Sequence, residues 1–315
     1  MSASFSIAVS PAIDKIALSP GETYEGDFFV SSLDSGDDLA FSIRFAPLNF
    51  KDETYDLDFS TPGRYNQILD WLSLVPDADM TATEVNRRSE SDPVRYDSLA
   101  LNFSGLNARQ IHYSITVPED APAGGQYFAF LVQGKTADPA QSSDSGIAVK
   151  NNSQVAVLVY ATVAGTTQET GTVLENRVQR FSLGSPVKVS SRLENTGNVH
   201  LPAIYILRVN SLFSGEELYS SEESPLENAV VPDTSLYSEQ IWQETPALGL
   251  FRVSQEISFA GTTDTRESVV LVAPVWFLVL ALAFLLAVCY SFFDHFSRRK
   301  DRQTRRNLEK SLDLK

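Results

Sequence analysis

Short runs in which apolar and polar residues alternate recur along most of the chain, separated by clusters of Pro, Gly, Asn and Asp. FSIAVSP (5–11), YEGDFFVSS (24–32), FSIRFAPLNF (41–50), QIHYSITVP (110–118), GQYFAFLVQG (125–134), QVAVLVYATVAG (154–165), PVKVSSRLEN (186–195), AIYILRVN (203–210) and LFRVSQEISFAG (250–261) are of this kind. A period of two sends successive side chains to opposite faces, so each run predicts a half-buried β-strand. The best candidate for a helix before residue 269 is NQILDWLSLV (66–75), which reads equally well as a strand. Many short strands between turn signals predict antiparallel sandwiches.

The pattern changes near the C-terminus. Val269 to Phe293 is a stretch of 25 residues without a charge. As a helix it would reach ~37 Å, enough to cross a ~30 Å hydrocarbon core with some tilt, and a charge at its centre would cost ~3 kcal/mol. A soluble core helix is the alternative, but few such helices are apolar on every face for six turns. Pro274 falls in the first turns, where its missing N–H matters least, and Trp276 and Tyr290 fall near the ends, as interfacial aromatics do. The following tail carries Arg298, Arg299, Lys300, Arg302, Arg305, Arg306, Lys310 and Lys315 against four acids, a net +4 in a chain of −15, which leaves −19 for residues 1–293. The positive-inside rule puts the basic tail in the cytoplasm and the acidic part outside. The opposite reading, a cytoplasmic domain with a tail anchor, would carry that basic cluster across the bilayer. Export needs a signal peptide; MSASFSIAVS has neither a basic start nor an apolar core, so the numbering is expected to begin at a mature or trimmed N-terminus.

The strand-rich part shows a weak internal repeat. Ser19-Pro20-Gly21-Glu22 and Ser185-Pro186 each lead into a strand that ends in a polar loop, and later Ala121-Pro122-Ala123-Gly124-Gly125 and Thr245-Pro246-Ala247-Leu248-Gly249 each feed an aromatic strand. The expected fold class is an all-β ectodomain of two immunoglobulin-like antiparallel β-sandwiches followed by one transmembrane α-helix. The expected boundaries are 1–165 for the first sandwich, 166–174 for a linker (within AGTTQETGT) and 175–261 for the second sandwich. A juxtamembrane linker at 262–268, a transmembrane helix at 269–293 and a basic cytoplasmic tail at 294–315 complete the chain.

The segment Ile16-Ala17-Leu18-Ser19-Pro20-Gly21-Glu22 followed by YEGDFFVSS, and Val117-Pro118-Glu119-Asp120-Ala121-Pro122 before GGQYFAFLV, resemble the bacterial WxL-interacting type of cell-surface protein. That resemblance implies a peptidoglycan-binding immunoglobulin-like domain, a second sandwich, a membrane helix and a short basic tail, in the order found here. The chain departs from the family pattern where NFKDETYDLDFSTPGR stands in place of a Thr-Asn-x-x-Gly segment.

The single cysteine, Cys289, lies in the apolar stretch, so no disulfide braces the β-rich part, as suits large bacterial domains that manage on their cores alone. The negative charge repels nucleic acid. His112, His200 and His295 show no metal-ligand spacing, and no nucleophile or phosphate-loop motif occurs, so neither enzymatic activity nor a cofactor is expected. His112 and His200 read as surface or strand-edge residues. Asp34, Asp37 and Asp38 are weak calcium candidates beside the more probable solvated loop, as are the acids at 52–58. Trp71 and Trp242 read as core residues, with partner contact as the functional alternative. The expected function is a non-enzymatic membrane-anchored adhesin or scaffold that binds cell wall or a surface protein partner, with membrane lipid met through the helix and basic tail. The alternative is an accessory or sensor subunit of a membrane complex, for which Ala283 and Ala287 offer a small helix face.

Overall fold

A computed structural model describes residues 7–32, 38–85, 94–104, 108–136, 153–184 and 186–312. The alternating runs become strands whose buried positions are the apolar ones. In Thr23–Ser32, Phe28 and Val30 are buried while Phe29 between them is 44% exposed. This strand lies in a four-stranded sheet between Ile7–Ser10 and Ala108–Thr116, with Leu72–Val75 beyond the latter. The facing sheet has six strands, in the order Ile13–Leu18, Ser153–Val163, Gly124–Thr136, Asp38–Pro47, Tyr96–Ser104, Thr81–Glu84. Phe28, Ile43, Ile111, Tyr113, Phe128 and Phe130 fill one core between the sheets. Phe28 stacks on Phe130 at 4.6 Å between ring centroids. Burying each such side chain is worth about 1.5–3 kcal/mol.

Residues after 170 repeat the central strands of this plan, without a counterpart of Leu72–Val75 among the described residues. Val187–Asn195 is central in a three-stranded sheet between Gly171–Val178 and Thr234–Trp242, as Thr23–Ser32 is central between its antiparallel neighbours. In the facing sheet Gly249–Phe259 lies between Leu201–Ser211 and Thr262–Val272, as Gly124–Thr136 lies between Asp38–Pro47 and Ser153–Val163. In each half a short early strand pairs in parallel with the last one: Ile13–Leu18 with Ser153–Val163, and Phe181–Ser182 with Thr262–Val272. On the outer side of Leu201–Ser211 lie Glu217–Ser220 and Leu226–Val230, where Tyr96–Ser104 lies beside Asp38–Pro47 in the first half. The sequence repeat is therefore a topological one, with both Pro/Gly turns feeding equivalent strands.

Two runs depart from simple alternation. Gly124–Val132 is buried at every position. Phe128 and Phe130 face the core, while Tyr127, Ala129 and Leu131 are covered from outside by Phe59, Leu158 and other side chains. The covering residues come in part from the excursion after Leu48, which lays a short hairpin, Asn49–Phe50 with Leu57–Asp58, over the sheet. NQILDWLSLV splits into a 3-10 turn at Gln67–Asp70 and a strand at Leu72–Val75. Asn66 anchors the turn, its side-chain amide donating to the Leu48 and Tyr127 carbonyls at 3.2 and 2.7 Å.

The expected juxtamembrane linker at 262–268 and the expected start of the membrane helix at 269 are both corrected. Thr262–Val272 is one continuous strand, and Val270, Val272 and Ala273 are fully buried. Alternation persists to Val272 because the partner strand Gly249–Phe259 runs alongside to that point, and Pro274 then breaks the ladder. The helix runs Val275–Leu312, and its apolar part, Val275–Phe293, has 19 residues and a mean hydropathy of 2.5. At ~1.5 Å per residue this still matches a ~30 Å hydrocarbon core. It is the one helix among the described residues long and apolar enough to cross a membrane, and none of its apolar window is buried against protein.

Trp242 is 2% exposed and meets Phe251 edge-on at 5.2 Å in the core between the second pair of sheets. The residue is thus placed in the core, the first of its two expected readings, and the partner-contact alternative has no exposed surface to rest on. Trp242→Ala should cost about 3–5 kcal/mol of stability, read as a shift in the urea unfolding midpoint at unchanged slope.

Candidate functional site

Three places were open to a functional role: the acidic loops, the connection between the two halves, and any cleft. Asp34 and Asp37 lie outside the described residues, and of Asp38 only the backbone, at the start of a strand, is described. Among the described residues no cluster of three or more His, Cys, Asp or Glu side chains has metal-binding geometry. Two of the acids at 52–58 serve their own turns. Asp52 accepts from the Thr54 backbone and hydroxyl, and Asp58 likewise from Ser60. These bonds hold both carboxyls below the usual carboxylate range.

The same excursion reaches the second half. The Glu53 carbonyl accepts from the Tyr237 N–H at 2.6 Å, and its carboxylate lies 3.0 Å from Arg192. The Tyr55 hydroxyl takes the Val231 N–H at 3.0 Å and lies 2.9 Å from the Thr234 hydroxyl. Burial pushes the Tyr55 phenol up to about 12. Tyr65 donates to Asp233 at 2.7 Å, and Arg64 pairs with the same carboxylate. From the other side comes the turn Asn195-Thr196-Gly197-Asn198. The Asn198 carbonyl accepts from Gly125 N–H at 2.7 Å, and its side chain donates to the Ala123 and Thr166 carbonyls and accepts from Gln168 N–H. Gly124 has φ +123 and a Cβ there would sit 2.5 Å from the Asn198 carbonyl; one at Gly197 would sit 2.0 Å from that of Gln168. The expected linker at 166–174 is corrected accordingly. Residues 166–170 are fastened to this turn, and a strand begins at Gly171.

Leu48, Tyr127, Tyr160 and Val231 close the joint with a core shared by both halves. His200, read from sequence as a surface or strand-edge residue, lies against the rings of Tyr127 and Tyr160, 5.9 and 5.4 Å away. Desolvation, with a smaller effect from Lys15, lowers its pKa below the ordinary value, and its Nδ1 makes no hydrogen bond. The joint is a structural element, in which the Asn198, Tyr55 and Glu53 polar groups are committed while the Tyr127 hydroxyl and His200 Nδ1 are buried without a hydrogen bond.

The remaining candidate is a cleft of about 640 Å³ on the flank of the second half, where the chain crosses from one sheet to the other. Arg177, Arg180, Lys188 and Arg266 line it against one carboxylate, Glu239, which Lys188 holds at 2.8 Å. Among the described residues Arg180 and Arg266 have no ion pair. Arg177 lies 3.7 Å from Glu175 and Lys188 is held by Glu239, which leaves Arg180 and Arg266 to give the cleft a local positive charge in a chain of net −15. Sequence reasoning missed it because positions 177, 180, 188 and 266 come from three separate stretches of chain, with no local charge run. Trp71, the other proposed contact, is half-buried against the first core. Cys289 is exposed on the apolar helix. Arg298, Arg299, Lys300, Arg302, Arg305 and Arg306 fall on the helical continuation of that span.

No family model matches the chain, and no curated protein matches it in sequence. Among solved structures, the Salmonella enterica SafA pilin in complex with the SafB chaperone is similar to it at TM-score 0.38 and 9% identity, over 85% of this chain and 97% of that one. The E. coli chaperone DraB is similar at TM-score 0.35 and 12% identity, over 84% and 95%. The CsuC-CsuE chaperone-tip adhesion subunit complex of Acinetobacter baumannii is similar at TM-score 0.34 and 11% identity, over 84% and 98%. At these scores nothing about the activity or partners of this chain is taken from them.

Because His200 binds its proton less tightly folded than unfolded, its contribution to stability is full above the unfolded value of ~6.5 and is lost as pH falls through it. The urea midpoint should therefore drop between pH 7.5 and 5.5, and His200→Phe should flatten that drop.

Proposed function

We propose that the chain is a non-enzymatic, single-pass bacterial cell-surface protein. Two immunoglobulin-like sandwiches would stand outside the membrane, the helix from Val275 would anchor them, and the basic tail would lie in the cytoplasm. The observation that carries the reading is the cationic cleft of Arg177, Arg180, Lys188 and Arg266 on a body joined directly to an apolar helix. A fixed anion receptor on an otherwise acidic surface is suited to holding the phosphate or carboxylate groups of a wall polymer, or an acidic face of a surface protein, while repelling other polyanions. The fastened joint supports it further, since a rigid body presents the cleft at one orientation. The resemblance to the WxL-interacting type fits the same layout of two sandwiches, helix and basic tail.

A second reading, an accessory or sensor subunit of a membrane complex, is favoured by the unbroken helix Val275–Leu312, which would carry any tilt of the body directly to the tail. The test is retention of the detergent-solubilised full chain on insoluble cell wall, and capture of surface proteins from solubilised envelope. Charge reversal at the cleft, Arg180→Glu with Arg266→Glu, should reduce retention at least tenfold at low salt. Retention that is equal for wild type and variant would contradict the cleft as the binding site.

A further inference from the structure

The strand Thr262–Val272 and the helix from Val275 are separated only by Ala273 and Pro274, so Val275 lies at most ~10 Å from Val272. Ala273 is fully buried and its N–H is bonded to the Ser182 carbonyl at 3.0 Å, so the gap is not a free tether. Whatever lies level with Val272 must then lie close to the plane where the apolar helix begins.

Several loops converge on that level. Val272 pairs with Gly249 and with Ser182, and Leu271 with Leu250 and Phe181. Ser211 pairs with Phe251, and the Leu212 N–H bonds the Leu250 carbonyl. The residues carried at these ends are apolar and uncovered: Phe181 40%, Leu183 60%, Leu248 43%, Leu271 37% and Phe213 84% exposed. Phe213 is the most exposed large apolar side chain among the described residues. Exposed apolar residues scattered over a surface need no account, but five gathered at the one end from which an apolar helix leaves do. Arg180, whose carbonyl accepts from the Leu271 N–H and whose side chain has no ion pair among the described residues, flanks them. The cationic cleft shares Phe181 with the patch.

From this we infer that the end of the second half is seated in the outer headgroup layer of the bilayer, with Phe181, Leu183, Phe213 and Leu248 in the interface and the cationic cleft opening above it. The occupant is lipid because the chain itself brings the surface there. Only a bilayer is obliged to lie beside residue 275, and it offers the apolar layer that these side chains otherwise lack. The inference rests on the proposed membrane anchorage and adds to it: the body would stand on the membrane at a fixed angle.

The test uses the full chain with Cys289→Ser and Phe213→Cys, labelled with an environment-sensitive fluorophore and reconstituted in nanodiscs of phosphatidylcholine and phosphatidylglycerol. Leu248→Cys gives a second site at this end, and Phe29→Cys a control on the first half. Labels at 213 and 248 should be quenched by a lipid carrying a spin label near its headgroup and shielded from iodide, with the reverse at 29. A chain that co-elutes with the discs while 213 and 248 respond to iodide as 29 does would overturn the inference alone. A chain that fails to enter the discs would overturn the anchorage and the inference with it.

Discussion

Asn198 is the constraint on which the arrangement of the molecule depends. Its backbone carbonyl and side-chain amide together engage Ala123, Gly125, Thr166 and Gln168, which ties the turn before strand Gly124–Thr136 of one half, the connecting segment and the Asn195–Asn198 turn of the other. Asn195 prepares the turn from behind, its amide donating to the Val199 and Val230 carbonyls and its oxygen accepting from Gly197 N–H. These bonds matter because a buried donor left unpaired costs about 1–3 kcal/mol. Gly124 and Gly197 allow the close approach, and the rings of Tyr127, Tyr160 and His200 exclude water beside it.

From that joint the consequences run to both ends. The first half is held against the second by a shared core and by the excursion through Glu53 and Tyr55. The second half continues through its last strand into the helix without a flexible step. The cleft of Arg177, Arg180, Lys188 and Arg266 is thus carried on a body with few internal degrees of freedom. Rigidity of this kind favours binding because less motion is lost when a partner is engaged.

Much of the fold was legible in the sequence. Alternation located the strands, and the Pro/Gly turns before Tyr127 and Phe251 marked positions that prove topologically equivalent. The charge-free stretch and basic tail located the helix. Four features escaped for physical reasons. Val269–Val272 is apolar because it is a strand at the edge of a core, and composition alone merges it with the lipid-facing residues that follow. The Gly/Thr-rich segment near 164–172 looks like a free linker, because its hydrogen bonds are made by backbone groups to a turn thirty residues away. The excursion at 49–65 reads as a solvated acidic loop, yet Tyr55, Phe59 and Tyr65 within it cover the outer face of a sheet. The cleft was not legible at all, since only folding brings Arg266 beside Arg180.

The account turns on the two halves moving as one. The direct measurement is the distance distribution between spin labels on Glu25→Cys and Glu217→Cys, one on each half, in full-length protein with Cys289→Ser in nanodiscs, by pulsed electron–electron double resonance. A single narrow distribution is predicted. A broad or multi-peaked distribution would mean that the halves swing about residues 164–170, and would contradict a fixed joint at Asn198.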